Sequence, residues 1–196
     1  MEKKTAKLNF PEKIILASAS PRRAQLLKSI GVNFEIHDPS IKEDWPSDIQ
    51  TERVAEYLAR QKSEAMVKHF PNHFLITADT IVVFAGKILG KPKDKDEAFK
   101  MLTMLSGKFH DVITGVCLQQ GGKIESFSDR SRVQFKDLSK EEIVYYIDNF
   151  APYDKAGAYG IQEWIGMIGV HYLEGSYFNI MGLPIHRLYE ALVNWK

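Results

Sequence analysis

The chain reads as an α/β protein with a mixed parallel and antiparallel central sheet flanked by helices, arranged as two lobes around a cleft. Two observations carry that expectation. Apolar runs of strand length alternate with segments of helical period from Ile14 to Trp195. Short turns at Ala85-Gly86-Lys87 and at Gly121-Gly122 each join two such runs as an antiparallel hairpin, which a purely parallel sheet would not contain.

The first element is Ile14-Ile15-Leu16-Ala17, a buried strand that stops at the small residues Ser18, Ala19 and Ser20. Ser20 is a good N-cap, Pro21 suits the first helical position, and Gly31 marks the stop, so a helix over about residues 21–30 follows. Its first turn carries Arg22 and Arg23, which oppose the partial positive charge of the helix N-terminus by roughly 0.3–1 kcal/mol each. Two readings are open. Free backbone N–H groups and two guanidiniums make a phosphate site, or the arginines are solvated or paired with acidic neighbours.

Phe34–His37 is a short strand leading into a polar loop with Glu43 and Asp44. Val54, Ala55, Leu58, Ala65 and Met66 keep a helical period between Thr51 and His69, and Pro71 ends it. Lys62, near the middle of this helix, reads on local grounds as a solvated lysine. The run Phe74–Phe84 is the most hydrophobic of the chain and suits a central strand, yet it contains Asp79. Burying an ionised carboxylate without partners costs several kcal/mol, so Asp79 is protonated, paired, capping a loop, or facing a cleft where a metal or polar substrate meets it. Gly86 and the following Gly90-Lys91-Pro92 do not make a P-loop: the glycines are one residue too close, and Pro92 replaces the required Ser or Thr.

Asp94 and Glu97 cap a helix through Ala98, Met101, Leu102 and Leu105 that stops at Ser106-Gly107. His110–Leu118 and Ile124–Phe135 are antiparallel partners about Gly121-Gly122. His110 has no second ligand at metal spacing and reads as a structural or surface histidine, and Cys117 as core. Ser139-Lys140-Glu141-Glu142 is a capping box opening a helix with Ile143, Val144, Tyr146 and Ile147 on its apolar side. Pro152–Gln162 is a loop of small residues whose glycines let backbone approach a ligand closely. Ile165–Glu174 and Tyr177–Met181 are expected to form a hairpin about Gly175, and a last helix from about Pro184 carries Leu188, Leu192 and Trp195.

The 26 basic and 25 acidic side chains leave a net charge of +1, which gives no electrostatic case for a nucleic-acid or membrane-surface binder; any phosphate recognition is local. A single cysteine excludes an intrachain disulfide and a cysteine zinc cluster and fits a reducing cytosol. No apolar run approaches the length of a membrane span. The expectation is a cytoplasmic protein of one domain, residues 1–196, with residues 1–12 a frayed extension. In such folds ligands bind where loops gather at strand ends, and there the basic loop, the strand aspartate and the glycine loop can converge.

Six stretches in order, LASASPRR, ADTIVV, GKP, LSGKFHDVITGV, DKAGAYGIQ and GLP, resemble the Maf family of nucleoside triphosphate pyrophosphatases over nearly the whole chain. The departures are an N-terminal extension and Glu163-Trp164 after the IQ pair, where small residues are often found. The resemblance implies the mixed α/β fold shared with inosine triphosphate pyrophosphatases, commonly as a homodimer. It makes Asp79 the catalytic carboxylate and proton acceptor, and ties Arg22, Thr80 and Gln162 to the choice of base in the pattern of the dTTP and UTP branch rather than the methylated-guanine branch. It sets Ser18, Arg22, Arg23, Lys62 and Lys91 around the phosphates, and Asp79 with Glu43 around a divalent cation, magnesium or manganese. The implied reaction cuts a nucleoside triphosphate to the monophosphate and pyrophosphate, in nucleotide-pool sanitation. A second class of function is a regulator of septum formation acting through a partner, with which the family is also associated. A kinase or nucleotidyl transferase lacks its signatures here.

Overall fold

A computed structural model describes residues 10–195. Of the N-terminal stretch 1–12 expected to fray, residues 1–9 lie outside the described residues, while Phe10 packs edge-on against Tyr189. Strands β1 (Ile14–Ala17), β2 (Phe34–His37), β3 (Phe74–Phe84), β4 (Lys87–Leu89), β5 (Phe109–Gln120), β6 (Lys123–Phe135) and β7 (Val170–Glu174) form a seven-stranded sheet of order β2-β1-β3-β5-β6-β7, with β4 pairing β3 beside that path. β1 runs parallel to β2 and β3; the other pairs are antiparallel, so the sheet is mixed as its hairpins require. The helices are α1 (Pro21–Ser29), α2 (Thr51–Val67), α3 (Lys95–Leu105), α4 (Lys140–Phe150), α5 (Trp164–Gly169), α6 (Tyr177–Met181) and α7 (Ile185–Val193).

Side chains alternate between the two faces of β3. On the even-numbered face Phe74, Ile76 and Ala78 join Val116 and Leu118 in a core under α1 and α7, while further along Val82 and Val112 join a second core under α3, α4 and α5. These two cores are the two lobes. On the odd-numbered face α2 lies across Leu75, Ile81 and Ile113.

The sheet is interrupted between the lobes. β1 ends with Ala17 opposite Thr77, and β4 starts pairing only at Val82, so among the described residues positions 78–81 of β3 have a strand partner on the β5 side alone. Asp79 and Thr80 sit in that gap.

Gly115 sets how closely α2 approaches the sheet. It is the β5 partner of Asp79, and a Cβ there would lie 2.3 Å from backbone atoms of Ala55 and Glu56. Gly115→Ala is therefore expected to push α2 outward and to lower stability by about 1–3 kcal/mol through overpacking. A denaturant midpoint equal to that of the wild type would contradict this account of the packing.

The expected caps are present on α3, where Asp94 Oδ1 accepts from Glu97 N at 2.8 Å, and on α4, where Ser139 and Glu142 form the full capping box. Ser20 holds the N-cap position of α1 but makes no side-chain cap; Ser18 Oγ instead accepts the Ser20 N–H at 3.2 Å. The hairpin expected about Gly175 is not formed. Residues 164–169 wind into α5, only Val170–Glu174 extend along β6, and Tyr177–Met181 are α6, opened by Ser176 accepting from Asn179 N at 3.2 Å and closed by Gly182 at φ 116°. Periodicity cannot separate helix from strand over runs this short, and complete burial of Ile165 in the core under α3 and α4 settles the matter.

Cys117 is buried in β5. His110 is buried as well, with Nε2 2.7 Å from Tyr159 Oη; burial pushes its pKa down to about 4, so the ring is neutral near pH 7. No helix among the described residues is long and apolar enough to cross a membrane.

Candidate active site

The gap in the sheet opens into a cleft of about 570 Å³. Ser18, Arg22, Arg23, Glu43, Lys62, Asp79, Thr80, Lys91 and Gln162, the residues singled out from the sequence, all line it. They arrive there from the β1–α1 loop, the first turn of α1, the loop before α2, α2 itself, β3, the turn after β4 and the glycine loop after α4.

Asp79 points to the odd-numbered face of β3, where α2 passes. It is 7% exposed, and its Oδ1 accepts a short hydrogen bond from Lys62 Nζ, which also lies 2.7 Å from Glu43 Oε1. Lys62 is only 6% exposed, so the solvated lysine expected from local sequence is corrected. Its position along α2 turns it toward the sheet, and a buried ammonium is tolerable there because two carboxylates compensate it. Of the states open to Asp79, the structure has it paired and at a cleft. Burial opposes ionisation of Glu43, but the hydrogen bond and charge of Lys62, then Lys91 and Arg23, outweigh it and hold this carboxyl below the usual range.

Thr80 points to the opposite face. Thr114 donates to the Asn179 carbonyl at 2.9 Å, so the Thr80 hydroxyl donates to Thr114 Oγ1, also at 2.9 Å, and accepts from Arg23 Nη2 at 3.0 Å. Arg23 further donates through Nε to Gly182 O at 2.8 Å and through Nη1 to Ser18 Oγ at 3.0 Å. Its guanidinium thus ties the β1–α1 loop, β3 and the turn after α6 together. Burial lowers the Arg23 pKa from the ordinary arginine value, with Asp79 opposing and Arg22 adding to the shift.

Arg22 Nη1 pairs with Asp154 Oδ2 at 2.7 Å, with side-chain exposures of 23% and 55%. An acidic neighbour therefore answers one of the two arginines. A pair this open contributes at most about 1 kcal/mol, so a phosphate or base can draw Arg22 away from it.

The glycine loop closes the far wall. Gly157, at φ 68°, donates its N–H to Gly90 O at 3.0 Å, which joins the loop to the turn carrying Lys91, exposed at the rim. Gln162 folds back over Gly160, where a Cβ would stand 2.9 Å from Gln162 Nε2. Its Oε1 is buried with no partner among the described residues.

Sequence reading gave no site role to four side chains in and behind this wall: Asp154 and Lys155, which line the cleft, and Tyr146 and Glu163. Lys155 is 8% exposed between Asp154 Oδ1 at 2.6 Å and Glu163 Oε1 at 3.1 Å. The signal available was charge within a segment otherwise made of small and apolar residues, because charges in such a place have to be paired.

No group of three or more His, Cys, Asp or Glu side chains among the described residues is arranged to hold a metal. Magnesium needs only one or two carboxylates beside phosphate oxygens and water, and Asp79 and Glu43, which meet the same Lys62 Nζ, are a donor set of that kind.

The chain matches the family of Maf-like proteins over residues 13–195. It is 50% identical to a dTTP/UTP pyrophosphatase of Porphyromonas gingivalis over 186 residues, 92% of each chain. It is 52% identical to a dTTP/UTP pyrophosphatase of Phocaeicola vulgatus over 182 residues, 92% of this chain and 94% of that one. Among solved structures, a HAM1 protein of Coxiella burnetii aligns with a TM-score of 0.53 at 12% identity, covering 92% of this chain and 98% of the other, a likeness of fold.

Proposed function

Since this chain belongs to the Maf family, we propose that it hydrolyses nucleoside triphosphates, dTTP and UTP foremost, to the monophosphate and pyrophosphate. The observation that carries this reading is the meeting, in one break of the sheet, of a lysine-held carboxylate, the cationic start of a helix and an amide whose buried oxygen lacks a partner.

The reaction needs a water aimed at the α-phosphorus, a group to take its proton, and positive charge for the departing pyrophosphate. Asp79 is the acceptor. Lys62 holds its Oδ1, which fixes the carboxylate plane and leaves Oδ2 for the proton. Arg22 moves from Asp154 to phosphate at the N-terminus of α1, joined by Lys91 from the rim. Arg23, bonded to Ser18, holds the loop that leads into the first turn of α1, where Arg22 sits. Asp79 and Glu43 would hold magnesium or manganese, which when bound supplies further charge neutralisation at the phosphates. We place the enzyme in the cytoplasm, as a homodimer serving nucleotide-pool sanitation.

Gln162 reads the base. An amide presents one donor and one acceptor side by side, matching the N–H and carbonyl on the ring edge of uracil or thymine. Gln162→Glu removes the donor and is expected to lower kcat/KM for UTP and dTTP by roughly 10–100-fold, a larger effect than its effect on folding stability. Parallel loss of stability and activity would count against the role.

The deciding assay is product analysis over a panel of nucleoside triphosphates with magnesium or manganese. Pyrophosphate together with UMP or dTMP supports the proposal. Release of orthophosphate points to another cleavage site and overturns it.

A further inference from the structure

Along the glycine loop and behind it, four side chains that touch no reacting group, Asp154, Lys155, Glu163 and Tyr146, form a chain of charge and hydrogen bonds running away from Arg22. Asp154 joins Arg22 at 2.7 Å to Lys155 at 2.6 Å. Lys155 passes to Glu163 Oε1 at 3.1 Å, and the hydroxyl of Tyr146, on α4, donates to Glu163 Oε2. The same hydroxyl accepts the Gly160 N–H at 3.0 Å. Both oxygens of Glu163 are therefore held, each from a different element. Tyr146 is wholly buried, and burial followed by Glu163 pushes its phenol above the ordinary value, so it stays a donor. Burial opposes ionisation of Asp154, but the bonds from Lys155 and Arg22 outweigh it and keep that carboxyl below the usual range.

Stability alone gives little reason to keep such a set, since apolar residues of similar volume often serve a buried position as well or better. What the charges do is fix geometry. One end of the chain is Arg22 in the cleft; the other is the Gly160 backbone, two residues before Gln162. Above Gly160 the space is so filled that a Cβ would lie 2.8 Å from Glu163 Cδ and 2.9 Å from Gln162 Nε2. The Glu163 carboxylate and the Gln162 amide thus crowd over the same point of the backbone.

We propose that Glu163 is a positioning residue for base selection: held by Tyr146 and Lys155, it fixes the Gly160–Gln162 backbone and keeps the Gln162 amide presented to the pyrimidine, while Lys155 and Asp154 set the same wall against Arg22. The inference rests on the pyrophosphatase reading above. Its claim is narrower, that base discrimination depends on a carboxylate that never meets the base.

The test compares wild type, Glu163→Ala, Glu163→Gln and Tyr146→Phe with UTP and GTP as substrates, alongside thermal midpoints. Glu163→Ala is expected to lower the ratio of kcat/KM for UTP over GTP by roughly tenfold, chiefly through a higher KM for UTP. Tyr146→Phe moves the ratio in the same direction. Glu163→Gln keeps an oxygen acceptor for Tyr146 and is expected to stay within about threefold of the wild-type ratio. A lower midpoint with an unchanged ratio would make Glu163 a structural anchor only and overturn the proposal. Should Glu163→Ala fail to fold, the ratio for Tyr146→Phe decides alone. A wild type without preference for UTP overturns the pyrimidine reading and this inference together; a wild-type preference that the variants retain overturns the inference by itself.

Discussion

Replacing Asp79 by asparagine is expected to lower turnover of UTP by roughly 10²–10⁴-fold while leaving nucleotide binding within a few-fold of wild type. The side chain keeps its shape, and its amide oxygen can still accept from Lys62, so the wall of the cleft stays in place. What disappears is the negative charge that, in the proposed mechanism, takes the proton from the attacking water. On the proposed mechanism binding depends on other groups lining the cleft, chiefly Arg22, Lys91 and Gln162, which the substitution does not touch. Pyrophosphate release measured beside calorimetric titration with UTP separates the two effects. A variant that turns over at a tenth of the wild-type rate or better would remove Asp79 from the chemistry.

Lys62→Met should be the second severe change, with an unusual signature. It removes the ammonium shared by Asp79 and Glu43 and leaves two carboxylates facing each other in a narrow space. Breaking a fully buried pair by deleting one partner costs about 3–5 kcal/mol. The 40% exposure of the Glu43 side chain reduces this to about 1–3 kcal/mol, because water screens the outer carboxylate. The thermal midpoint should fall accordingly, and turnover with it, since Asp79 loses the group that orients it. If the two carboxylates are the metal ligands, magnesium or manganese should raise the midpoint of Lys62→Met by more than it raises that of the wild type, because a cation that binds only the folded state stabilises it. Equal shifts in both proteins would separate Glu43 from the metal.

Much of the architecture was legible because it rests on local rules. The hairpin at Gly86, the caps at Asp94 and Ser139 and the strand–loop–helix from Ile14 to Ser29 each follow from residues within a few positions of one another. The region after Gln162 was misread because its runs are too short for periodicity to separate helix from strand, and packing of Ile165 made the choice. Site residues showed the same division. Asp79 stood out because a carboxylate in an apolar strand needs an explanation. Lys62 did not, since a lysine on a helix is ordinary until the helix is laid on a sheet.

The sequence by itself determined the alternation of helices and strands, the mixed direction of the sheet, the anomaly of Asp79 and, through six motifs in order, the family. Tertiary structure alone decided that β1 stops one strand position short of Asp79's neighbours, leaving positions 78–81 bare on one edge; that Gly115 lets α2 bring Lys62 onto Asp79; and that Arg23 ties the β1–α1 loop, β3 and the turn after α6 together while Arg22 turns to Asp154. The reason is physical. Capping, turn and periodicity rules act over a few residues, whereas partners for charged groups are drawn from elements as far apart as Arg22 and Asp154, 132 positions along the chain, and exist only once the sheet has brought them together.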